Sequence, residues 1–203
     1  SDRVVNAGFA RTPHMLMYHI NLGYPVIDDG ARLLAPVGEP IFATHAKAGL
    51  AAQGVGYRTC PPPQRDWTEQ VWEHDTEADA EGRVPVAVIN DRLGFGIQIE
   101  TAKTELPCFL QWQNFQSGNY VMGIEAATHH LPGNTFARER DEMIWLDAGE
   151  ARSYHAEFRV LDGAADIAGA EARIAAIRRQ PETDYPDPTE RFPPLYLAKD
   201  GAS

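Results

Sequence analysis

Basic residues are in short supply in this 203-residue chain, where 18 Lys and Arg face 29 Asp and Glu for a net charge of −11. Contact with a nucleic-acid backbone needs clustered Lys and Arg, so no nucleic-acid partner is expected. Long apolar runs are missing too: none approaches the ~20 residues that span a bilayer, so no membrane segment is expected. Cysteine is limited to Cys60 and Cys108, too few for a disulfide scaffold and without metal-type spacing. No signal-like apolar stretch stands at the front, which makes the cytoplasm the expected compartment. The phosphate-binding Gly-x-x-x-x-Gly-Lys-Ser/Thr loop, the Gly-x-Ser-x-Gly elbow and the His-Glu-x-x-His zinc pair are all absent. Gly94-Phe95-Gly96 has no third glycine and opens into a strand, so it reads as packing. What remains is a globular composition, 43% hydrophobic and 23% charged. A chain of this length buries roughly 70% of its unfolded surface, enough for a core without staples.

Period-two alternation dominates, the pattern of half-buried strands. In 94–100, Phe95, Ile97 and Ile99 share one face; in 153–160, Tyr154, Ala156, Phe158 and Val160 do. Further strands are expected at 15–21, 70–74, 84–90, 108–113, 119–126 and 143–147. The opening Ser1-Asp2-Arg3-Val4-Val5-Asn6 also reads as strand interior. Turn chemistry separates the strands at Asp28-Asp29-Gly30, Asn90-Asp91, Ser117-Gly118-Asn119, Pro132-Gly133-Asn134 and Ala148-Gly149. Many short strands so spaced predict an all-β antiparallel sandwich or barrel. A helix is expected over 166–180, with Ile167, Ala170, Ile174 and Ile177 at helical spacing and Pro181 as its stop. A second, short helical pattern at 44–53 is interrupted by Gly49. Residues 36–66 and 181–203 hold five prolines each and read as irregular, the first as a lid or binding loop.

Two segments carry candidate chemistry. In Tyr18-His19-Ile20-Asn21-Leu22-Gly23-Tyr24-Pro25, strand alternation points Met17, His19 and Asn21 one way, and Leu16, Tyr18 and Ile20 the other. Either His19 and Asn21 form a polar site on a sheet, or neighbouring backbone satisfies them. In Tyr120-Val121-Met122-Gly123-Ile124-Glu125, Tyr120, Met122 and Ile124 share the apolar face, and Val121, Gly123 and Glu125 the opposite one. Gly123 leaves space beside the carboxylate for a ligand; the plain alternative is a solvent-facing glutamate. Trp112, flanked by Gln111 and Gln113, offers a flat ring and amides of the kind that hold a sugar, or else core packing.

These segments occur with Leu106-Pro107 leading to Trp112, with Ala137-Arg138-Glu139, and with Leu146-Asp147-Ala148-Gly149-Glu150-Ala151-Arg152-Ser153-Tyr154. In that order and spacing, residues 2–161 resemble the later part of an aldose 1-epimerase-like domain of the galactose mutarotase superfamily. The resemblance is to a bacterial branch catalogued as a domain of unknown function. It implies a galactose mutarotase-like supersandwich of antiparallel strands with a short C-terminal helix packed outside. Residues 1–163 would be the C-terminal portion of that sandwich domain, and 164–203 a helix and Pro-rich tail packed on it. The resemblance also implies interconversion of sugar anomers, with Glu125 as general base, His19 as general acid and Asn21 as a sugar-hydroxyl partner. Such proton exchange at a ring hydroxyl needs no metal or redox cofactor, and none is expected. Departures from the family pattern are Ala126 where a proline is common, His129 in place of an asparagine, and Asp141 in place of a glycine. An arginine and a second histidine of the family's site would lie upstream of Ser1. A sheet cut short in this way exposes its edges, so association, including homo-oligomers, is expected.

The remaining polar residues are placed around that site. Gln111, Trp112 and His129 are expected to contact the sugar; His74, at a strand end beside Glu73 and Asp75, either reaches the site or belongs to a solvated turn. Arg138, just past the Gly133-Asn134 turn, either orients a loop or binds a hydroxyl. His129 and His130 are adjacent, and neighbours on a strand point to opposite faces, so joint metal ligation with Glu125 is not expected. His155 reads as an exposed strand histidine and Cys60 as a bystander. With so few cations, the expected ligand is an uncharged aldose rather than a sugar phosphate. Two other functions stay open: a non-catalytic carbohydrate-binding module on the same fold, and a structural subunit that pairs through its sheet edges.

Overall fold

The structure, a computed structural model, describes residues 1–42 and 56–178, of which 39–42 by backbone alone. In chain order its strands are β1 (Asp2–Val5), β2 (Thr12–His14), β3 (Ile20–Gly23), β4 (Arg32–Leu34), β5 (Val37–Phe42) and β6 (Gln70–Thr76). These are followed by β7 (Arg83–Asn90), β8 (Phe95–Ala102), β9 (Cys108–Gln116), β10 (Asn119–Ala127), β11 (Ile144–Leu146), β12 (Ala151–Tyr154) and β13 (Ala156–Asp162). Helix α1 (Asn134–Glu139) precedes β11, and α2 (Ala164–Ile177) follows β13. A five-stranded sheet, β3-β10-β9-β6-β5, packs on a four-stranded sheet, β13-β8-β7-β4, and two ribbons, β1-β12 and β2-β11, flank them. Every pair of named strands is antiparallel, so the protein is an all-β sandwich with a short C-terminal helix.

Strand β7 shows why two layers and a helix are needed. Val84, Val86 and Val88 point into the main core, against Trp72, Phe109, Phe115, Met122 and Ile124 of the facing sheet. The alternate residues Ala87 and Ile89 are also buried, beneath Ile167, Ala170 and Ile174 of α2. A run that is apolar on both faces demands cover on both faces, and α2 supplies the second. Its three buried residues repeat at the helical period, as expected from the sequence. The core also holds polar groups: Gln111 and Gln113 are fully buried, and the Gln113 carbonyl oxygens accept from Trp67 Nε1 at 3.1 Å and Trp72 Nε1 at 3.3 Å.

Four expectations need correction. The 153–160 strand breaks at His155 into β12 and β13. Phe158 and Val160 do point the expected way, since they pair with Ile99 and Ile97, yet they are 58% and 55% exposed. Strand β13 is the edge of its sheet, and no described residue of the facing sheet covers it. The 36–66 stretch contains β5, whose Pro40 is tolerated because β5 is an edge strand. Helix α1 stands where no helix is expected, because six residues cannot display a helical period. Strand β3 starts only at Ile20, although residues 16–19 keep the same pairing line. The patterns at 44–53 and 181–203 lie outside the described residues. No helix among the described residues is long and apolar enough to cross a membrane.

Candidate active site

Strand β10 is the axis of the site. Ile20 pairs with Ile124 and Asn21 with Gly123, and further along Met17 bridges Ala127. The Tyr18 amide donates to the Ala126 carbonyl at 3.0 Å, and the Thr128 amide to that of Leu16 at 2.9 Å. One register therefore holds on both sides of His19 and sets it directly opposite Glu125. On the other flank, β9 places Leu110 beside Glu125 and Trp112 beside Gly123. Met122 and Ile124 fill the core on the far side, so the polar residues of β10 share the face that the sequence alternation assigned them.

His19 Nε2 lies 3.0 Å from Glu125 Oε1, with the histidine side chain 46% exposed and the carboxylate 5%. The contact is not an aligned hydrogen bond: Oε1 is buried and accepts none. Burial raises the Glu125 pKa above the usual carboxylate range, and positive charge on His19 works in the opposite direction. The His19 ring meets Trp112 edge-on at 5.8 Å between centroids. Trp112 Nε1 in turn donates to Glu69 Oε2 at 2.9 Å, fixing the indole. Glu69, exposed and outside any motif, gave no signal in the sequence. Gly123 is what makes the arrangement possible. A Cβ there would fall 2.6 Å from Glu125 Oε1, 3.1 Å from His19 Cε1 and 3.2 Å from Trp112 Cβ.

Gln111 and His74 do not join this group. Both project from the opposite face of the sheet into the core, with 0% and 1% exposure, rather than toward a sugar beside Glu125. The physical reason is the two-sided burial of β6 and β9, which lets polar residues sit inside when they pair with each other. His74 lies 4.7 Å from the Tyr57 ring and 5.5 Å from that of Phe109, with Nε2 3.1 Å from Gln111 Oε1. Gln111 Nε2 donates to the Tyr57 carbonyl at 2.8 Å.

Burial pushes the His74 pKa down from 6.5 to about 4, the Gln111 bond opposing. A depressed histidine means that the unfolded chain takes up a proton first as pH falls. Stability should therefore drop between pH 6.5 and 4, by on the order of 3 kcal/mol in all. Urea unfolding of the wild type and of His74→Asn at pH 7 and pH 4.5 checks this: the variant should lose the larger part of the pH dependence.

The other predicted contacts lie elsewhere. Asn21 is exposed, opposite Gly123 and on the same face as Glu125. His129 lies past the end of β10, its Nδ1 3.0 Å from the carbonyl of His130, and lines a cavity that His19, Glu125 and Trp112 do not. Arg138 donates from Nε to Asn134 Oδ1 at 2.6 Å, and its guanidinium sits 4.8 Å from the Trp145 ring, an arrangement that orients α1. His155 is half exposed and lies 2.8 Å from Glu105. Cys60 is buried, and burial with nearby Asp29 and Asp28 pushes its thiol up to about 12. Metal-type donors do converge among the described residues, but in a different set from that considered in the sequence: Glu73, Cys108 and His130, without Glu125.

The crystal structure of a "putative aldose 1-epimerase" from Klebsiella pneumoniae matches 94% of the chain with a TM-score of 0.81 at 26% identity. The chain spans about half of that protein, 49% of its length. A TPR-domain containing protein from Parabacteroides distasonis matches 95% of the chain and 30% of its own length, with a TM-score of 0.51 at 13% identity, a likeness of fold alone. No protein of curated function matches. The family model described as a domain of unknown function, DUF4432, matches residues 1–160, and the chain belongs to that family.

Proposed function

We propose that the site binds an uncharged aldose and interconverts its anomers by general acid–base ring opening. The observation that carries this reading is the Glu125–His19 pair itself. A buried carboxylate oxygen with no hydrogen-bond donor stands 3.0 Å from an accessible imidazole nitrogen, on a face cleared by glycine. Glu125 takes the proton of the C1 hydroxyl, the C1–O1 bond becomes a carbonyl as C1–O5 breaks, and His19 gives a proton to O5. The open aldehyde turns about C1–C2. On closure the proton on O5 returns to His19 and that on Glu125 returns to O1, so both groups are reset. Burial that raises the carboxylate pKa brings the base toward working pH, where proton transfer is most effective. His19, half exposed, turns aside to admit the sugar, and Trp112 offers its ring to the sugar's C–H face. The likeness to the Klebsiella protein supports the same reading.

Exchange NMR with a panel of aldoses tests it. Faster anomer interconversion in the presence of the protein supports the reaction. Line broadening of the sugar without faster exchange replaces it with a carbohydrate-binding module, and neither effect rejects the sugar site altogether.

A further inference from the structure

We propose that Glu73, Cys108 and His130 form a binding site for one divalent ion of the zinc class, distinct from the Glu125–His19 pair and open on one side. The three residues come from separate segments, β6, the first residue of β9 and the loop after β10. Glu73 pairs with Leu110, so it shares a sheet face with Cys108, two residues away along β9. His130 is folded back over that face by the turn in which the Gly133 amide donates to its carbonyl at 3.1 Å.

The spacing of Cys108 and His130 suits a tetrahedral ion, and the Glu73 oxygen, in contact with the imidazole, draws back from it as the ion enters. Cys108 Sγ and His130 Nδ1 are 3.6 Å apart. Metal bonds of about 2.3 Å to sulfur and 2.0 Å to nitrogen give a tetrahedral edge of about 3.5 Å. Glu73 Oε1 is in direct contact with the same Nδ1, and donor atoms of the three residues lie within 4.8 Å of one another. Glu73 is 1% exposed and Cys108 7%, a dry setting for a carboxylate and a thiol. The second Glu73 oxygen accepts from the Leu131 amide at 3.2 Å, which fixes the carboxylate and leaves Oε1 for the ion.

Outer contacts hold the imidazole as well. The Phe136 ring meets it edge-on at 86°, and Glu142 Oε2 lies 3.9 Å from Nε2, the nitrogen turned away from the site. At that distance Glu142 is a charge neighbour of the imidazole rather than its hydrogen-bond partner. One thiolate, one imidazole and one carboxylate suit Zn²⁺ or Co²⁺ rather than Ca²⁺ or Mg²⁺. The fourth position is open, because Cys108 and His130 line a cavity of about 430 Å³ together with Thr128, His129 and Glu142. Three protein ligands with an open fourth position is the arrangement in which zinc binds water or a substrate atom.

Titration of the chelator-treated protein with Co²⁺ alone tests the proposal. Expected are one Co²⁺ per chain, a near-ultraviolet thiolate-to-cobalt band, and displacement by Zn²⁺. Cys108→Ser should abolish the band and weaken Co²⁺ binding by at least ~100-fold, beyond what loss of an outer contact causes. Cys60→Ser should keep both, and circular dichroism reports whether each variant is folded. If Cys108→Ser does not fold, the presence of the band in the wild type and in Cys60→Ser decides. Absence of Co²⁺ uptake, uptake without the thiolate band, or unchanged binding in Cys108→Ser overturns the site and leaves Glu73–His130 as an ion pair.

Discussion

Replacing Glu125 by Gln should slow anomer exchange at least ~100-fold, the loss typical of removing a general base, while making the protein more stable at neutral pH. The two effects have one origin. The carboxylate sits 5% exposed, and its buried Oε1 accepts no hydrogen bond, so burial raises its pKa above the ordinary 4.5. A raised carboxylate pKa means that the folded state holds its proton to higher pH than the unfolded state does. The cost of ionising it in place is absent below pH 4.5 and grows as pH rises through the folded-state pKa. Gln keeps the shape and cannot ionise, so the gain should appear at pH 7 and vanish near pH 4. The lost attraction to His19 offsets only part of this, because that imidazole is 46% exposed and solvent weakens the pairing. Exchange NMR and urea unfolding at the two pH values measure both effects. Unchanged exchange in the variant would remove Glu125 from the mechanism.

Gly123→Ala should be nearly as damaging to exchange, through crowding rather than loss of a reacting group. Its methyl would fall 2.6 Å from Glu125 Oε1 and within 3.2 Å of both His19 and Trp112. The carboxylate, the imidazole or the indole must move, and a shift of about 1 Å in a reacting group costs on the order of 100-fold. Overpacking should also destabilise by about 1–3 kcal/mol. A double variant separates the causes. If the methyl acts by displacing the carboxylate, Gly123→Ala in the Glu125→Gln background should reduce exchange little further. Full multiplication of the two losses would mean that Gly123 serves the sugar directly.

The alternation of β10 was the most legible part of the chain. Large apolar side chains at Met122 and Ile124, with Gly123 and Glu125 between them, leave one way to orient the strand. The same reasoning failed on β9, where Gln111 beside Trp112 looked like a surface. Both faces of that strand are buried, and polarity then tells nothing about direction. On β13 the face of Phe158 and Val160 was legible and their exposure was not, since exposure depends on whether a second sheet reaches that far. The pairing of His19 with Glu125 is invisible to spacing, because 106 positions separate them and register alone joins them. Glu73, Cys108 and His130 were hidden for the same reason, and also because His130 is reached by a turn rather than along a strand.

The buried amides of β9 bear on how this chain finds its pairing. Gln111 is held by His74 and the Tyr57 carbonyl, and Gln113 by Trp72. A slip of one residue would turn both glutamines to the opposite face and bring Leu110 and Trp112 where the amide partners wait. Each amide left without a partner costs about 1–3 kcal/mol, whereas a made one adds about 1. The glutamines therefore penalise misthreaded sheets more than they hold the correct one together. In a sandwich assembled from distant segments, they act as a check on alignment, and the placement of Trp112 on the face of Glu125 inherits its accuracy from them.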